Sequence, residues 1–314
     1  MYFSQASEGG RLNTSDFGRT LAITTAREAT PLLAAFRAAV LDYYQEYGRD
    51  LPWRRTRDPY RILVSEVMLQ QTQVTRVLGK YDRFIAAFPD VCALGAAPTA
   101  VVLRTWQGLG YNRRALALHQ SAQIIVAEHQ GLVPRSLSGL RSLPGIGPAT
   151  AGAIGVFAYD LPLPFIETNI RSAFLHFFFQ GCNAVPDADI LPLVALTLDH
   201  DNPRDWYYAL MDYGVWVKKT HHNPSRRSMH HTTQPAFAGS RRQLRAQILR
   251  VLLLHPARAG LPDNQAPTEA GAVLDAVQMG TQFPAWDFTE VEAVARDLTE
   301  EGFLICSEGR YRIA

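Results

Sequence analysis

Apolar residues recur every three or four positions through most of the first 230 residues, which is the spacing of one face of an α-helix. The pattern begins near Pro31 and continues to about Val217, with interruptions at "FPD", "GLGY" and "LPGIG". No segment in this part alternates apolar and polar residues as a half-buried strand does. The pattern therefore predicts an all-helical body, preceded by a mobile extension over residues 1–29.

The pattern changes at Ser240. Three shorter helical segments, the second around Val273–Val277, are followed by two strand-like pieces on either side of Glu308–Gly309. Three helices and a terminal hairpin predict a small winged-helix-like α+β domain over residues 240–314. Its third helix carries five acidic residues, and the domain holds eight Lys and Arg against ten Asp and Glu. Phosphates repel such a face, so we expect a packing or partner role, with an unidentified partner, rather than base readout.

The composition is that of a globular protein with two or three domains, since 47% of the 314 residues are hydrophobic and 19% are charged. The N-terminus lacks the features of a secretory signal, and no apolar run is long enough to span a bilayer. The three cysteines, an odd number, lie far apart, which argues against a disulfide framework. These features predict a cytoplasmic protein with no membrane partner.

The net charge of +2 conceals an uneven distribution. Tyr213–Pro262 contains no Asp or Glu, but it contains nine Lys and Arg and several interleaved histidines. A solvated basic loop is the ordinary interpretation. A surface that faces a polyanion is the alternative, because clustered cations gain affinity for phosphates through counterion release. The candidate phosphate contacts are Lys218, Lys219, Arg226 and Arg227.

The strongest local motif is "LPGIGPATAGAI", residues 143–154. Gly145 and Gly147 permit a tight hairpin with exposed amides, and the next helix starts directly afterwards, with Thr150 small enough for close packing. Amides at a helix N-terminus bind a phosphate without any base contact. An ordinary joint between two helices is the alternative.

This hairpin is one of several motifs by which the chain resembles the endonuclease III and MutY-type adenine glycosylases of the helix-hairpin-helix (HhH-GPD) superfamily. The matching stretches occur in the family's order over residues 31 to 217: "LPWR", "DPYRILVSEVMLQQTQV", "FP", "WQGLGYNRRAL", "LPGIGPATAGAI", "FIETNIRS" and "YALMDYG". The resemblance implies a monomer that binds double-stranded DNA and flips a base into the cleft between two helical lobes. One lobe would comprise residues 30–58 and 166–235, and the other, with the hairpin, residues 59–165.

The resemblance also assigns roles to three residues. Glu66, in "SEVMLQQTQV", matches the glutamate that protonates the purine so that the base leaves more easily. Gln71 matches the position whose side chain is inserted into the DNA stack. Tyr111, after "GLG", is expected to line the same opening. A surface glutamate on a helix is the ordinary alternative for Glu66.

The second candidate catalytic residue, Glu167, departs from the family pattern. The family has an Asp in a motif close to "DGNV", whereas this chain has "ETNI". Glu is a poor N-cap, so we expect Thr168 or Asn169 to cap the following helix and leave Glu167 free to stabilise a cationic sugar. The alternative is that the site has decayed and activity has been lost.

Further departures concern lyase chemistry, cofactors and the opposite base. The lysine of bifunctional members is replaced by Ala149, so Schiff-base strand cleavage lacks its nucleophile. The family's four cluster cysteines align near Lys218, Ser225, Ser228 and Gln234, so no iron–sulfur cluster is expected. The paired histidines do not have zinc-ligand spacing, so no metal is expected either. The C-terminal residues do not resemble the domain that reads 8-oxoguanine.

Together these features predict a monofunctional DNA glycosylase in base excision repair that hydrolyses the N-glycosidic bond of a mispaired or damaged base, of the adenine type. Two alternatives stay open. One is a pyrimidine mismatch or damaged-base glycosylase on the same scaffold, and the other is a catalytically inactive protein that binds DNA structures.

Overall fold

The computed structural model describes residues 26–254 and 272–314 of the chain. The α-helices of these residues are α1 Ala26–Tyr47, α2 Pro59–Leu69, α3 Val74–Val77, α4 Lys80–Ala87, α5 Val91–Ala96, α6 Thr99–Trp106, α7 Arg113–Glu128, α8 Leu137–Arg141, α9 Pro148–Tyr159, α10 Thr168–Phe178, α11 Asp187–Thr197, α12 Pro203–Thr220, α13 Arg241–Leu254, α14 Ala276–Gln282 and α15 Phe288–Glu300. Short 3₁₀ helices cover Pro52–Arg54 and Pro224–Arg227, and the strands are β1 Leu274–Asp275, β2 Leu304–Ser307 and β3 Arg310–Ile313.

The predicted helical body is confirmed: between residues 26 and 254 no strand forms, and the pairing there is a single bridge between Val185 and Ser228. Helix α1 begins at Ala26, five residues before the start that the apolar pattern indicates. Pro31 lies in the second turn of this helix, where it removes one backbone N–H from the helical hydrogen-bond pattern. The expected extension, up to residue 25, and residues 255–271 lie outside the described residues. No described helix is both long and apolar enough to cross a lipid bilayer.

The chain divides into two compact units. The first consists of the described part of Met1–Leu51 together with Gly155–Thr233. Its core is built on aromatic rings around Phe36, whose side chain is fully buried and whose ring centroid lies 4.9 Å from that of Phe174 and 6.2 Å from that of Trp206. These rings belong to α1, α10 and α12, so burial of large aromatic surfaces fixes the three helices against one another.

The second unit consists of Pro52–Ile154 and the described part of Gln234–Ala314. Its helical part is packed around Trp106, which is fully buried and donates its indole N–H to the carbonyl of Gly110 at 3.1 Å. The hydroxyl of the buried Tyr60, on α2, donates to the carbonyl of Phe88 at 2.8 Å. Both polar atoms of these large rings are thereby satisfied inside the core, as buried polar groups require.

The C-terminal module, the described residues after Ser240, has the expected three helices and terminal hairpin. Glu308 and Gly309 both have positive φ, 50° and 73°, which is the backbone of the two-residue turns that join twisted strands. The sequence missed β1, which pairs with β3 in the sheet order β1-β3-β2. The start of the second helix was also predicted too early, around Val273. Helix α14 begins at Ala276, because Asp275 is extended and forms a capping box with Gln278.

The module packs on the helical part of the second unit through Glu301, at the end of α15. Arg113, at the start of α7, donates to Glu301 Oε2 at 2.9 Å, and Arg245 of α13 donates to the same oxygen. Burial alone would raise the pKa of Glu301, but these arginines outweigh it and hold the pKa below the usual value. The end of the acidic third helix thus takes part in internal packing.

Candidate nucleic-acid interface and active site

Helix α2 presents Glu66. The helix starts at Pro59, and Asp58 caps it by accepting hydrogen bonds from the amides of Tyr60 at 2.9 Å and Arg61 at 3.1 Å. Glu66 is half-buried and lies between the buried residues Ser65 and Val67. The structure thus places Glu66 at the edge of a packed core, partly accessible from outside.

The turn after α2 presents Gln71. This residue is exposed and has a φ of 51°, a left-handed conformation that costs a non-glycine residue about 1 kcal/mol or more. The side chain of its neighbour Gln70 donates from Nε2 to the carbonyl of Gly145 and to Thr150 Oγ1, both at 3.1 Å. Gln70 therefore ties this turn to the glycine hairpin, a link that sequence spacing does not reveal.

The two glycines of the hairpin differ in what a side chain would meet at each position. Gly145 has a φ of 75°, and a Cβ there would lie 2.9 Å from the Cβ of Ala117. A Cβ at Gly147 would meet no atom within 4 Å, so a side chain at this exposed residue would occupy open space in front of the α9 N-terminus. That open space is what an approaching phosphate needs.

Tyr111 follows the "GLG" turn with a φ of 49°, and its side chain is 39% exposed. Its hydroxyl donates to Gln234 Oε1 at 2.8 Å, and the guanidinium carbon of Arg114 lies 5.2 Å from its ring centroid. The ring is therefore held on one face by a cation and at its tip by an amide. The rest of the ring is exposed.

Glu167 lies in the first unit, and the expectation that Thr168 or Asn169 caps α10 was wrong. Glu167 is itself the N-cap: its Oε1 accepts from the amides of Asn169 at 2.7 Å and Ile170 at 2.8 Å. Its Oε2 accepts from Asn169 Nδ2 at 3.0 Å. The extended backbone at Glu167 allows the longer side chain to fold back onto the helix, and three donors hold the carboxylate in one orientation.

Helix α12 packs closely against this N-terminus. A Cβ at Gly214 would lie 2.0 Å from the carbonyl oxygen of Asn169, so no side chain fits there. One turn later on the same face, Lys218 is half-buried. Burial lowers the pKa of Lys218, and the negative charge of Glu167 opposes that shift. The structure therefore brings Lys218 near Glu167 rather than into a solvated loop.

The rest of the basic segment is also more ordered than its composition predicts. Arg227 donates to the carbonyls of Phe179 at 2.5 Å and Leu175 at 2.7 Å, at the end of α10. Pro224 is buried within the 3₁₀ helix, and Ser228 forms the bridge to Val185. The interpretation as a solvated loop was thus wrong for part of the segment, because an arginine here satisfies helix-end carbonyls. Lys219 and Arg226 are exposed.

This division changes the expected salt dependence of DNA binding. The slope of log K against log salt is negative. We expect the double variant Lys219→Gln with Arg226→Gln to reduce its magnitude by about 0.9 for each phosphate that is no longer neutralised, hence by about two in all. Arg227→Gln should instead lower thermal stability. The matched control, Arg296→Gln with Arg310→Gln, removes two exposed charges from the C-terminal module. An equal decrease of the slope in the control would mean that only net charge matters.

The positions aligned with the family's cluster cysteines do not fit an iron–sulfur cluster. They hold Lys218, the buried hydroxyls of Ser225 and Ser228, and Gln234, which supply an amine, two hydroxyls and an amide instead of thiolates. In the part of the chain that the structure describes, no group of three or more His, Cys, Asp or Glu side chains is arranged to hold a metal ion.

Comparison with known proteins places this geometry in a family. A family model described as HhH-GPD superfamily base excision DNA repair protein matches residues 64–189. The adenine DNA glycosylase of Mycolicibacterium smegmatis is 41% identical over 180 residues, 57% of this chain and 61% of that protein. The adenine DNA glycosylase of Mycobacterium tuberculosis is 33% identical over 266 residues, 76% of this chain and 84% of that protein.

Solved structures agree on the fold. A thermostable thymine-DNA glycosylase is 26% identical, with a TM-score of 0.55 over 59% of this chain and 87% of that one. An endonuclease III, trapped in a covalent intermediate with DNA, has a TM-score of 0.51 over 58% of this chain and 84% of that one at 16% identity. These likenesses confirm the predicted helical glycosylase fold, and the described residues after Ser240 supply the small C-terminal α+β region. The chain belongs to the HhH-GPD superfamily of base excision DNA repair proteins.

Proposed function

We propose that the protein is a monofunctional DNA glycosylase that removes a mispaired or damaged purine, of the adenine type, from double-stranded DNA. The observation that carries this proposal is the carboxylate of Glu167, which three hydrogen-bond donors hold at the N-terminus of α10. A carboxylate held by three donors is oriented before the substrate arrives, which suits electrostatic stabilisation of a cationic sugar. The names of the relatives from both mycobacteria support adenine as the base.

The proposed reaction uses two carboxyl groups. Glu66 donates a proton to the purine ring, the bond between C1′ and the base nitrogen breaks, and its electron pair leaves with the base. The carboxylate of Glu167 stabilises the positive charge that develops on the sugar. Water then adds to C1′ and gives up a proton, which is taken up by the carboxylate that Glu66 became on protonating the base. Ala149 stands where bifunctional relatives carry the nucleophilic lysine, so the strand stays intact.

A pyrimidine mismatch glycosylase is the second candidate, favoured by the likeness to the thymine-DNA glycosylase. The two candidate functions differ in how strongly excision depends on Glu66. Adenine departs poorly as an anion and needs ring protonation, whereas a pyrimidine that leaves as a stabilised anion depends less on this acid. Loss of Glu66 would therefore be far more damaging to purine excision.

The deciding experiment is a single-turnover screen of the full chain against duplexes. The set contains adenine opposite guanine, 8-oxoguanine and cytosine, thymine or uracil opposite guanine, and fully paired DNA. We expect excision of adenine from at least one mismatch, with alkali needed to cleave the strand. Excision of thymine alone would establish the second candidate, and binding without excision of any base would establish an inactive DNA-binding protein.

We also propose that the protein works as a monomer on the nucleoid without a metal cofactor. Protein produced under iron-replete conditions should contain less than about 0.1 iron per chain and show no visible absorbance from a cluster, because the aligned donors are not thiolates. An endonuclease III prepared in parallel is the positive control. A stoichiometric four-iron centre would overturn the proposal.

A further inference from the structure

The guanidinium of Arg114, at the start of α7, forms a network of hydrogen bonds, although the proposed reaction gives this residue no role. Its Nη1 lies 2.9 Å from the carbonyl oxygen of Val67, 2.8 Å from that of Met68 and 2.6 Å from that of Gln70. Its Nη2 donates to Thr72 Oγ1 at 2.9 Å and to the carbonyl of Gly110 at 3.2 Å. One side chain thus joins two separate turns, 70–72 and 110–111.

Two of these acceptors belong to the end of α2. The last carbonyls of a helix have no partner within the helix, and a cation near them is stabilised by the helix dipole. Burial lowers the pKa of Arg114 to about 10, so the group stays charged at neutral pH. Arg114 therefore acts as the C-terminal cap of the helix that carries Glu66.

The remaining contacts extend the same body to the interface. The guanidinium carbon lies 5.2 Å from the ring centroid of Tyr111 and 5.5 Å from that of Trp106. Through Gln70, whose backbone carbonyl it holds, Arg114 is connected to the hairpin, because Gln70 Nε2 bonds Gly145 and Thr150. Turn 70–72, Tyr111 and the glycine hairpin are thus tied to one guanidinium.

We propose that Arg114 is a positioning residue that couples phosphate binding at the hairpin to insertion of Gln71 into DNA. The DNA contacts of Gln71 and the hairpin rest on the proposed function, whereas the network that joins them is internal to the second unit. Arg114 keeps Gln71 in its left-handed conformation and fixes the distance from the phosphate site to the inserted side chain. Lysine has one compact ammonium and cannot span both turns.

The test compares Arg114→Gln and Arg114→Lys with a matched control, Arg113→Gln. Arg113 is the adjacent arginine, its side chain is 72% exposed, and its bond to Glu301 lies away from the network. Three properties are measured for each full-length variant: the affinity for paired DNA, the fluorescence of 2-aminopurine placed beside a mismatch, and the single-turnover excision rate. The fluorescence reports base unstacking and does not depend on excision.

We expect Arg114→Gln to abolish the fluorescence rise and to lower excision by about 10²-fold, since misplacement by about 1 Å costs that much. Affinity for paired DNA should change by less than about threefold, because the phosphate contacts are not removed. Arg114→Lys should recover only a small part of either loss, and Arg113→Gln should behave as wild type. Wild-type fluorescence and excision in Arg114→Gln, or full rescue by lysine, would overturn the proposal.

Coupling is tested separately with Gln70→Ala, which removes only the link to the hairpin. In a double-mutant cycle on the fluorescence signal, Arg114→Gln and Gln70→Ala should be strongly non-additive, while Arg113→Gln and Gln70→Ala add. Additive effects in both cycles would overturn the coupling. If Arg114→Gln does not fold, Gln70→Ala and Arg114→Lys still give the answer. If wild type unstacks DNA but excises nothing, the proposed function fails while the coupling is still decided by the fluorescence.

Discussion

Replacing Glu66 with Gln is expected to lower single-turnover excision of adenine by about 10²–10⁴-fold while DNA binding persists. Gln has nearly the same shape and fits the half-buried position between Ser65 and Val67, so α2 should remain folded. What Gln lacks is a proton to give, and adenine leaves poorly as an anion. The excision rate and the affinity for paired DNA are measured on the same preparations.

Glu128→Gln provides the control, because Glu128 is an exposed glutamate on α7 of the same unit. It should excise at the wild-type rate and bind DNA equally well. A wild-type rate for Glu66→Gln on an adenine mismatch would remove Glu66 from the reaction. Loss of DNA binding in that variant would instead indicate a structural role for this side chain.

The features that could be predicted from sequence are those that depend on local spacing or on one residue's own conformation. Helical periodicity located the body, and Gly145, with its positive φ, was predicted from the motif that contains it. The turn at Glu308–Gly309 was likewise predicted, from the strand-like pieces on either side of it, and its two positive φ values suit a hairpin between twisted strands. Such signals are complete within a few residues of the chain.

The features that sequence missed depend on partners far along the chain. Lys218 and Arg227 were assigned to a basic surface from composition, but both are half-buried: Lys218 lies near the carboxylate of Glu167, and Arg227 donates to the carbonyls at the end of α10. Arg114 belongs to the motif "WQGLGYNRRAL" but received no role from it, since its acceptors on α2 and the following turn lie more than 40 residues away. Whether such contacts form depends on how far a side chain reaches in the folded protein, and the spacing of residues in the sequence does not show this.

The cap at Glu167 shows the same limit in one residue. Glu ranks low as an N-cap in general, so Thr168 or Asn169 was expected there. The two backbone amides and Asn169 Nδ2 overcome that preference, because together they offer three donors to one carboxylate. The proposed catalytic role of Glu167 therefore falls on a residue with a structural role, and a substitution must be chosen to separate the two.

Glu167→Gln separates them. The oxygen of the new amide can still accept from the amides of Asn169 and Ile170, while its nitrogen would face Asn169 Nδ2, donor against donor. A flip of Asn169 corrects this, because its Oδ1 is buried and has no hydrogen-bond partner among the described residues. The loss of stability should therefore stay within about 1 kcal/mol, the usual worth of a cap. Excision should nevertheless fall by about 10²–10³-fold, since a neutral amide cannot stabilise a cationic sugar.

Glu167→Asp distinguishes an adapted site from a decayed one. Asp is the better N-cap, so thermal stability should hold or rise. Its carboxylate is drawn back by one methylene group, away from Asn169 Nδ2 and from the sugar that the longer side chain reaches. In an adapted site, excision falls by about 10-fold or more even though Asp is the family residue. In a decayed site, wild type is inactive on every duplex and Asp restores cleavage. Equal excision by wild type and Glu167→Gln would contradict both and assign the sugar-stabilising role to another residue.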